Sequence, residues 1–314
     1  MPYDRDGFCP RSMFHLHRNP RIHLGRRRIG ALAWALALGC VLPAAVAQTP
    51  WLITITDGSA SVIESSRRVE AVVGYKASAG AIVETAAEAA LVRLESEEEV
   101  SIDLGPATQA MIDPPNMRRR DGSGPRLYLL QGWAKVSRHG TTRAPAVRTP
   151  LLDVGASDGV VVLQVAGRDE SVFVESGRSD LAVRKRRDLL QPMGAGQFFK
   201  IAAAAVGSMS PRPPLDWIAQ VPPSFRDPIP LRAHDVKGAA PKLVLRPPLT
   251  YAELAPWLNG EPELRRPFPR RFATLAGHPE FRRGLEAQMS EHPEWNPVLH
   301  PPPPPEDAYE RSRR

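Results

Sequence analysis

Apolar and polar residues alternate along many short stretches of this chain. In VRLE (92–95) the two apolar residues share one parity and the two charged residues share the other. A period of two is typical of a half-buried strand, with the charged residues on the face turned away from the core. The same pattern predicts strands at 51–63, 69–75, 81–86, 100–104, 127–137, 145–154, 160–166, 171–176, 181–184 and 197–202.

Turn signals such as Asp57-Gly58 and Gly105-Pro106 separate these stretches, and no long helical pattern lies among them. A parallel α/β sheet would need crossover helices between its strands. The pattern therefore predicts an all-β fold of many short strands, arranged as a twisted sandwich or a solenoid-like sheet.

Glycine recurs within or beside the apolar stretches at Gly58, Gly132, Gly177 and Gly196. In ITDGSASVI the apolar parity changes across Gly58, which predicts a β-bulge, since an inserted residue shifts parity without exposing the apolar set. In LYLLQGWAKVS the parity is the same on both sides of Gly132, which predicts a close approach by another backbone.

The chain changes character after residue 202. Of its 34 prolines, 22 lie at or beyond Pro211, so residues 203–249 are predicted to be a linker and extended chain rather than regular elements. We expect this segment to lie over the β domain (51–202), with Trp217 and Phe225 as anchors. Residues 298–314 form a proline-rich, charged tail, predicted to be disordered.

Residues 250–297 predict a small helical block, with helices at about 250–259, 269–276 and 279–291. In the last helix Phe281, Leu285 and Met289 form one apolar stripe. The block is rich in aromatic residues and arginine, which dominate interface hot spots but are more often core. It is either a cap on the sheet or a partner-contact surface, whose candidate residues are Trp257, Arg265, Arg266, Phe268, Arg270, Arg271, Phe272, Phe281 and Trp295.

Residues 1–47 predict an export signal. Arg26-Arg27-Arg28 precede an apolar run, and Ala45-Val46-Ala47 fits the small-residue cleavage pattern before Gln48. The alternative is an uncleaved membrane anchor, since the apolar run could just span a bilayer. Met13 is a candidate true start. The predicted location is therefore the periplasm, or outside the cell, with the leader as the membrane contact.

The charge and the cysteine content argue against two classes of function, nucleic-acid binding and thiol chemistry. Residues 1–47 hold seven arginines and two acidic residues, and the rest of the chain is close to neutral, so nucleic acid is not an expected partner. Both cysteines, Cys9 and Cys40, lie in the leader, which leaves the mature chain with no disulfide and no thiolate chemistry.

The sequence gives only weak candidates for catalytic or metal-binding residues. His278-Pro279 and His292-Pro293 are better explained as helix starts than as metal ligands. His139 is interpreted as a turn residue rather than a general base, and Ser123 has no recognisable triad partner. No nucleophile elbow or P-loop occurs. We expect no catalytic residue, no metal and no cofactor.

Seven phrases in order resemble the periplasmic domain of FecR-like (ferric-citrate regulator) proteins, over about 51–201. They are ITDGSASVI, GAIVET, AALVRLESEEEVSIDLGPAT, LYLLQGWAKVS, APAVRTPLLDVGAS, ESVFVESGRSDLAV and QPMGAGQFFKI. The resemblance implies an envelope sensing or signalling module. The chain departs from the family at 154–159, where a Gly-Thr pair is common. Fewer than thirty residues precede the apolar run, so we expect no cytoplasmic sigma-regulating domain.

The sequence thus predicts an exported, non-catalytic module that binds a protein partner, through an exposed sheet edge that takes up a partner strand. The alternative is a structural envelope protein that binds peptidoglycan or polysaccharide, and an enzyme acting on envelope glycans is the third hypothesis.

Overall fold

The computed structural model describes residues 50–117, 124–184, 190–202, 206–236 and 240–301. The leader 1–47, the loop serine Ser123 and residues 302–314 of the tail lie outside the described residues. The strands are β1 (Trp51–Asp57), β2 (Ala60–Glu64), β3 (Arg67–Glu70), β4 (Lys76–Ala77), β5 (Ile82–Thr85), β6 (Leu91–Glu95), β7 (Val100–Leu104), β8 (Gln109–Ile112), β9 (Leu127–Arg138), β10 (Val147–Arg148), β11 (Leu152–Val154), β12 (Val160–Ala166), β13 (Asp169–Ser176), β14 (Arg178–Val183), β15 (Leu190–Gly194), β16 (Phe198–Ala202) and β17 (Ser208–Ser210).

Hydrogen bonds connect these strands into one open sheet folded into two layers. Layer A has the order β4-β1-β6-β7-β9-β12-β13-β16-β17. Layer B has the order β3-β2-β5-β8-β9-β10-β11-β14-β15. Every described pairing is antiparallel except β9 with β10. The predicted all-β class is confirmed, as a two-layer sandwich.

The main core lies between the layers, because alternate residues of each strand point inward. Ile53 and Leu94 from layer A meet Val62 and Val83 from layer B in one buried cluster. Burying apolar side chains is the dominant favourable term in folding, worth about 25 cal/mol per Å² removed from water. The period of two in the sequence thus corresponds to the inner faces of a sandwich.

Strand β9 belongs to both layers, and Gly132 is the residue at which it passes between them. Residues before Gly132 pair with β8 and β10, and residues after it pair with β7 and β12. Gly132 has φ +91°, and a Cβ there would lie 2.4 Å from the Cα of Thr108. The predicted close backbone approach at this glycine is confirmed. The predicted constant parity is wrong, since Leu129 points into the main core before Gly132 and Ala134 does so after it.

The predicted bulge at Gly58 is wrong. β1 ends at Asp57 in layer A and β2 begins at Ala60 in layer B, so Gly58 (φ +91°) is a corner between layers. The apolar parity changes there because each layer has its own inward direction. Gly177 is the same kind of corner, between β13 and β14.

The helices follow the strands and are short. Thr250 and Glu253 form a reciprocal capping box at the start of the second helix. The helix predicted to reach residue 291 ends at Ala287, so Met289 lies beyond it while Phe281 and Leu285 remain buried. The helices are α1 (Leu215–Gln220), α2 (Tyr251–Leu258), α3 (Pro262–Arg265), α4 (Phe268–Arg271), α5 (Pro279–Ala287) and α6 (Asn296–Leu299), with 3₁₀ turns at Pro223–Phe225, Leu275–Gly277 and Pro293–Trp295.

Within the described ranges, no helix is both long and apolar enough to span a membrane.

Candidate partner-binding surface

The five aromatic residues proposed as partner contacts lie inside the molecule. Trp257, Phe268, Phe272, Phe281 and Trp295 are all buried. They belong to one cluster formed by the helical block, here called the cap (residues 249–299), and by the outer face of layer B. The contributions of layer B to this cluster are Ile63, Ile82, Met111 and Tyr128. These aromatic side chains therefore hold the cap on the sheet.

Two of the four candidate arginines bind main-chain carbonyls. Arg271 donates to Ile63 O at 2.8 Å and Gly80 O at 2.6 Å, and burial lowers its pKa to about 10. Arg265 donates to the carbonyl of Glu291 within the cap. Arg266 and Arg270 are exposed, so of the nine candidate residues these two remain available to a partner.

Ion pairs add to the cap's attachment. Arg68 Nη1 of β3 lies 2.5 Å from Glu253 Oε1, and Arg148 Nη1 of β10 lies 3.0 Å from Glu263 Oε2. Arg184 forms a third pair, with Glu261 of the cap. Because all three pairs lie at the seam between sheet and cap, they orient the cap as well as attach it.

The outer face of layer A is covered by a different segment, here called the strap (residues 215–236). Trp217 and Phe225 are buried on it, and the Trp217 ring lies 5.5 Å from that of Trp133 and 5.0 Å from that of Phe198. The strap thus lies over the β domain at the two aromatic residues that the sequence indicated as anchors. The prediction that 203–249 has no regular elements is wrong, since β17 and α1 lie in it.

Beneath the strap lies a row of buried charged side chains. Arg93, Asp103 and Lys135 are register partners on β6, β7 and β9. Arg93 Nε and Nη2 donate to the two carboxylate oxygens of Asp103 at 2.5 and 2.7 Å. Paired in this way, the charges avoid most of the large cost of burying an isolated ion.

The same row binds the main chain of the strap. Arg93 Nη1 donates to Ile229 O at 2.7 Å, and Lys135 Nζ donates to Phe225 O at 2.6 Å. Next to this row on β6, Glu95 accepts from the backbone N–H of Ala233 at 2.7 Å. Because these contacts are to backbone groups, they hold the strap in place whatever side chains the strap residues carry.

His139 and His292 each form a side-chain hydrogen bond within the fold. His139 Nε2 lies 2.9 Å from Ser101 Oγ, but Ser101 is fully buried, and burial lowers the pKa of His139. His292 Nε2 lies 2.8 Å from the Tyr251 hydroxyl inside the cap. Among the described residues, no group of three or more potential metal ligands is found.

The four sheet edges are short, interrupted or covered. β4 has two residues and β17 has three. β15 contains Pro192, which has no backbone N–H to donate. Natural proteins limit edge pairing by such means. β3 is covered by a further stretch of the same chain, 242–246, which pairs with it through a bridge between Val69 and Leu245.

This stretch, here called the edge segment, is exposed along its whole length. Leu243, Val244 and Leu245 are 51, 47 and 69% exposed. Leu243 also lines a cleft of about 1230 Å³, together with Leu52 and Val73. Sequence reasoning missed this site. The signal available was the run KLVLR, which has no proline while Pro241 and Pro247 flank it.

Comparisons with known proteins place few constraints on function. No family model matches the chain. No curated protein matches it either. Two crystal structures, at 1.65 and 2.50 Å resolution, of a "putative anti-sigma factor" from Parabacteroides distasonis align with 12% identity and a TM-score of 0.33. Each alignment covers 42% of this chain and 59% of that protein, so this chain spans less than two thirds of it.

Proposed function

We propose that this chain is an exported, non-catalytic module of the FecR-like type that binds a protein partner in the cell envelope. The ordered series of phrases that resembles that family supports the proposal. In the fold, Gly58, Gly177 and Gly196 lie at corners between the layers. Gly132 lies where β9 changes layer. The phrases are thus features of the scaffold, and partner contacts are to be sought outside them.

The observation that carries the proposal is the run of exposed apolar side chains at Leu243, Val244 and Leu245. Scattered exposed apolar residues are ordinary, but contiguous ones at a sheet edge are characteristic of protein interaction sites. Arg266 and Arg270 on the cap provide a second set of exposed contacts, with arginine enriched at interfaces.

A non-catalytic role is supported by the placement of the best nucleophile and base pair. Ser101 and His139 are within hydrogen-bond distance, but the hydroxyl lies at a fully buried position on β7. At 0% exposure, the Ser101 side chain is out of reach of a substrate in the described structure.

Export is tested by fractionating cells that express the full chain with a C-terminal tag and sequencing the N-terminus of the product. We expect a periplasmic or secreted product that begins at Gln48. A product that keeps its leader and sediments with membranes would establish the anchored alternative. A product found in the cytosol would overturn the proposal.

Partner class is tested by capture of proteins from periplasmic extract, in parallel with sedimentation of the chain on purified cell wall. We expect a protein captured in stoichiometric amount and released by competition with untagged chain, with no sedimentation on the wall. Sedimentation on the wall without a captured protein would favour the structural envelope protein instead.

One observation favours that alternative. Ser61, Glu84, Gln109 and Gln131 are consecutive register partners across β2, β5, β8 and β9, and they line a groove of about 590 Å³. Carboxylate and amide side chains in a row can bind successive hydroxyl groups of a glycan. The matched variants are Gln131→Ala in this groove and Arg270→Ala outside it. If the glycan hypothesis holds, only the first lowers sedimentation on the wall.

A further inference from the structure

The edge segment 242–246 extends layer B by one antiparallel bridge. Val244 O accepts from Glu70 N at 2.9 Å, and Arg246 N donates to Arg68 O at 2.9 Å. These two bonds flank the antiparallel bridge between Val69 and Leu245. The true edge of layer B in the described structure is therefore this segment rather than β3.

The outward side of the edge segment has free main-chain groups. Since Val244 and Arg246 bond to β3, the intervening Leu245 directs its N–H and C=O away from the sheet, and Leu243 shares its parity. No described hydrogen bond uses the main chain of either leucine. An extended peptide laid along this side would find two donors and two acceptors at the spacing of an antiparallel ladder.

Prolines define how much of the segment can pair. Pro241 and Pro247 lie immediately outside it, and neither has an N–H to donate. The edge segment therefore accepts an added strand of about five residues and no more.

Self-association is disfavoured in each antiparallel register. Pairing two copies about Val244 satisfies all the outward groups of Leu243 and Leu245, but it sets Lys242 of one copy against Arg246 of the other. Like charges directly opposite each other destabilise a strand pair. Shifting the centre to Leu243 or Leu245 sets a leucine opposite Pro241 or Pro247, which cannot donate.

The same charges favour a different occupant. Lys242 and Arg246 are exposed at the two ends of three apolar residues, and Glu70 offsets the second charge only in part, at 3.5 Å. A strand whose apolar centre is flanked by acidic residues would match both the apolar side chains and the flanking charges.

We propose that the edge segment is a docking site for an extended strand of a partner protein, with an apolar centre and acidic flanks. This proposal rests on the proposed function, because it takes from it that the partner is a protein. Main-chain hydrogen bonds from Leu243 and Leu245 hold the strand, and Lys242 and Arg246 select its charge.

The test uses the full chain and two capped, fluorescent peptides, each with a centre of valine, isoleucine and valine. One peptide has two aspartates on each side, and the other has two lysines. We expect the aspartate peptide to bind about tenfold or more tightly than the lysine peptide at low salt. The amide of Leu245 should exchange its hydrogen more slowly when the aspartate peptide is bound.

Two matched variants separate the main-chain contribution from the side-chain contribution. Leu245→Pro removes the outward N–H while leaving both bonds to β3, and it should abolish peptide binding. Leu245→Val keeps the N–H and an apolar side chain, and it should bind within about twofold of the natural chain. The double variant Lys242→Glu/Arg246→Gln should lose the preference for aspartate.

Equal binding by the Leu245→Pro variant, or no binding of the aspartate peptide, would overturn the inference. Dimerisation of the natural chain that Leu245→Pro abolishes would also overturn it, because a second copy would then be the occupant. If Leu245→Pro still captures a partner from periplasmic extract, the proposed function stands and this inference fails. If no variant captures a partner, the proposed function fails as well.

Discussion

Arg93 and Asp103 face each other across β6 and β7, joined by two hydrogen bonds beneath the strap. The arginine is 2% exposed and also donates to the carbonyl of Ile229, so one side chain connects the sheet to the strap. A charge this deeply buried is tolerated only while its partner is present.

Removing that partner should destabilise the chain strongly. Asp103→Ala removes both hydrogen bonds from Arg93 to a carboxylate and leaves only Glu95, at 4.0 Å, as an ion-pair partner. The change should lower the free energy of unfolding by roughly 3–5 kcal/mol. Urea unfolding monitored by tryptophan fluorescence measures the change. The control is Glu286→Ala, which breaks the exposed pair with Arg282 on α5 and should cost less than about 1 kcal/mol. Similar losses for the two variants would contradict the importance of the buried pair.

Stability should depend on pH through Glu170. This carboxyl is buried on β13, accepts from Thr149 Oγ1 and Leu151 N, and burial raises its pKa to about 7. Since the folded pKa exceeds the unfolded value of 4.5, the folded state binds the proton more tightly. This contribution to stability is therefore present at acidic pH and is lost as pH rises towards about 7.

The measurement is urea unfolding at pH 5 and pH 8, for the natural chain and for Glu170→Gln. Relative to the glutamine variant, the natural chain should lose roughly 3 kcal/mol over this range, from about 1.4 kcal/mol per pKa unit. The comparison is needed because burial lowers the pKa of His139 and His292, which makes stability fall in the acidic direction instead. Parallel pH profiles for the two proteins would rule out Glu170 as the titrating group.

Gly132 should tolerate no side chain. In Gly132→Ala the new Cβ would lie 2.4 Å from Thr108 Cα, in addition to a φ of +91°. Gly167 also has positive φ (+62°) but has no atom within 4 Å of an added Cβ, so Gly167→Ala should cost only about 1–2 kcal/mol. We expect thermal unfolding to show a far larger loss for the first variant. Equal melting temperatures would mean that β9 can shift away from Thr108.

Arg271 and Arg270 are neighbours on α4 with opposite environments. Arg271→Ala removes charged hydrogen bonds to the carbonyls of Ile63 and Gly80 and should destabilise the cap by roughly 2–4 kcal/mol. Arg270→Ala changes an exposed side chain and should alter stability by less than about 0.5 kcal/mol. Limited proteolysis distinguishes them, since a loosened cap should be cleaved while the β domain stays intact. Equal resistance to the protease would show that the aromatic cluster alone retains the cap.

Much of the β domain could be predicted from local patterns. The strand at 160–166 has the predicted bounds, because a run of valines with turn residues at both ends specifies it locally. The Gly58 corner could not be assigned correctly, since a parity change has the same appearance whether the chain bulges within one layer or crosses to another. That distinction depends on strand partners distant in sequence.

The site was less predictable than the fold. Arg93 and Glu95 have the alternation of a surface face, yet both are buried, because a segment more than 130 residues later covers them. The aromatic residues of the cap satisfy the composition of an interface and of a core equally well. Only their position against Ile82 and Met111 on layer B decides that they are core.

The sharing of β9 by the two layers has a consequence for folding errors. A slip of this strand by one residue would turn Leu127 and Leu129 out of the interior on one side of Gly132, and Ala134 and Val136 on the other. A mistake in one layer therefore cannot be confined to it. The register of this one strand sets the strand register of both layers. An arrangement with one layer correct and the other slipped is therefore not expected to be stable.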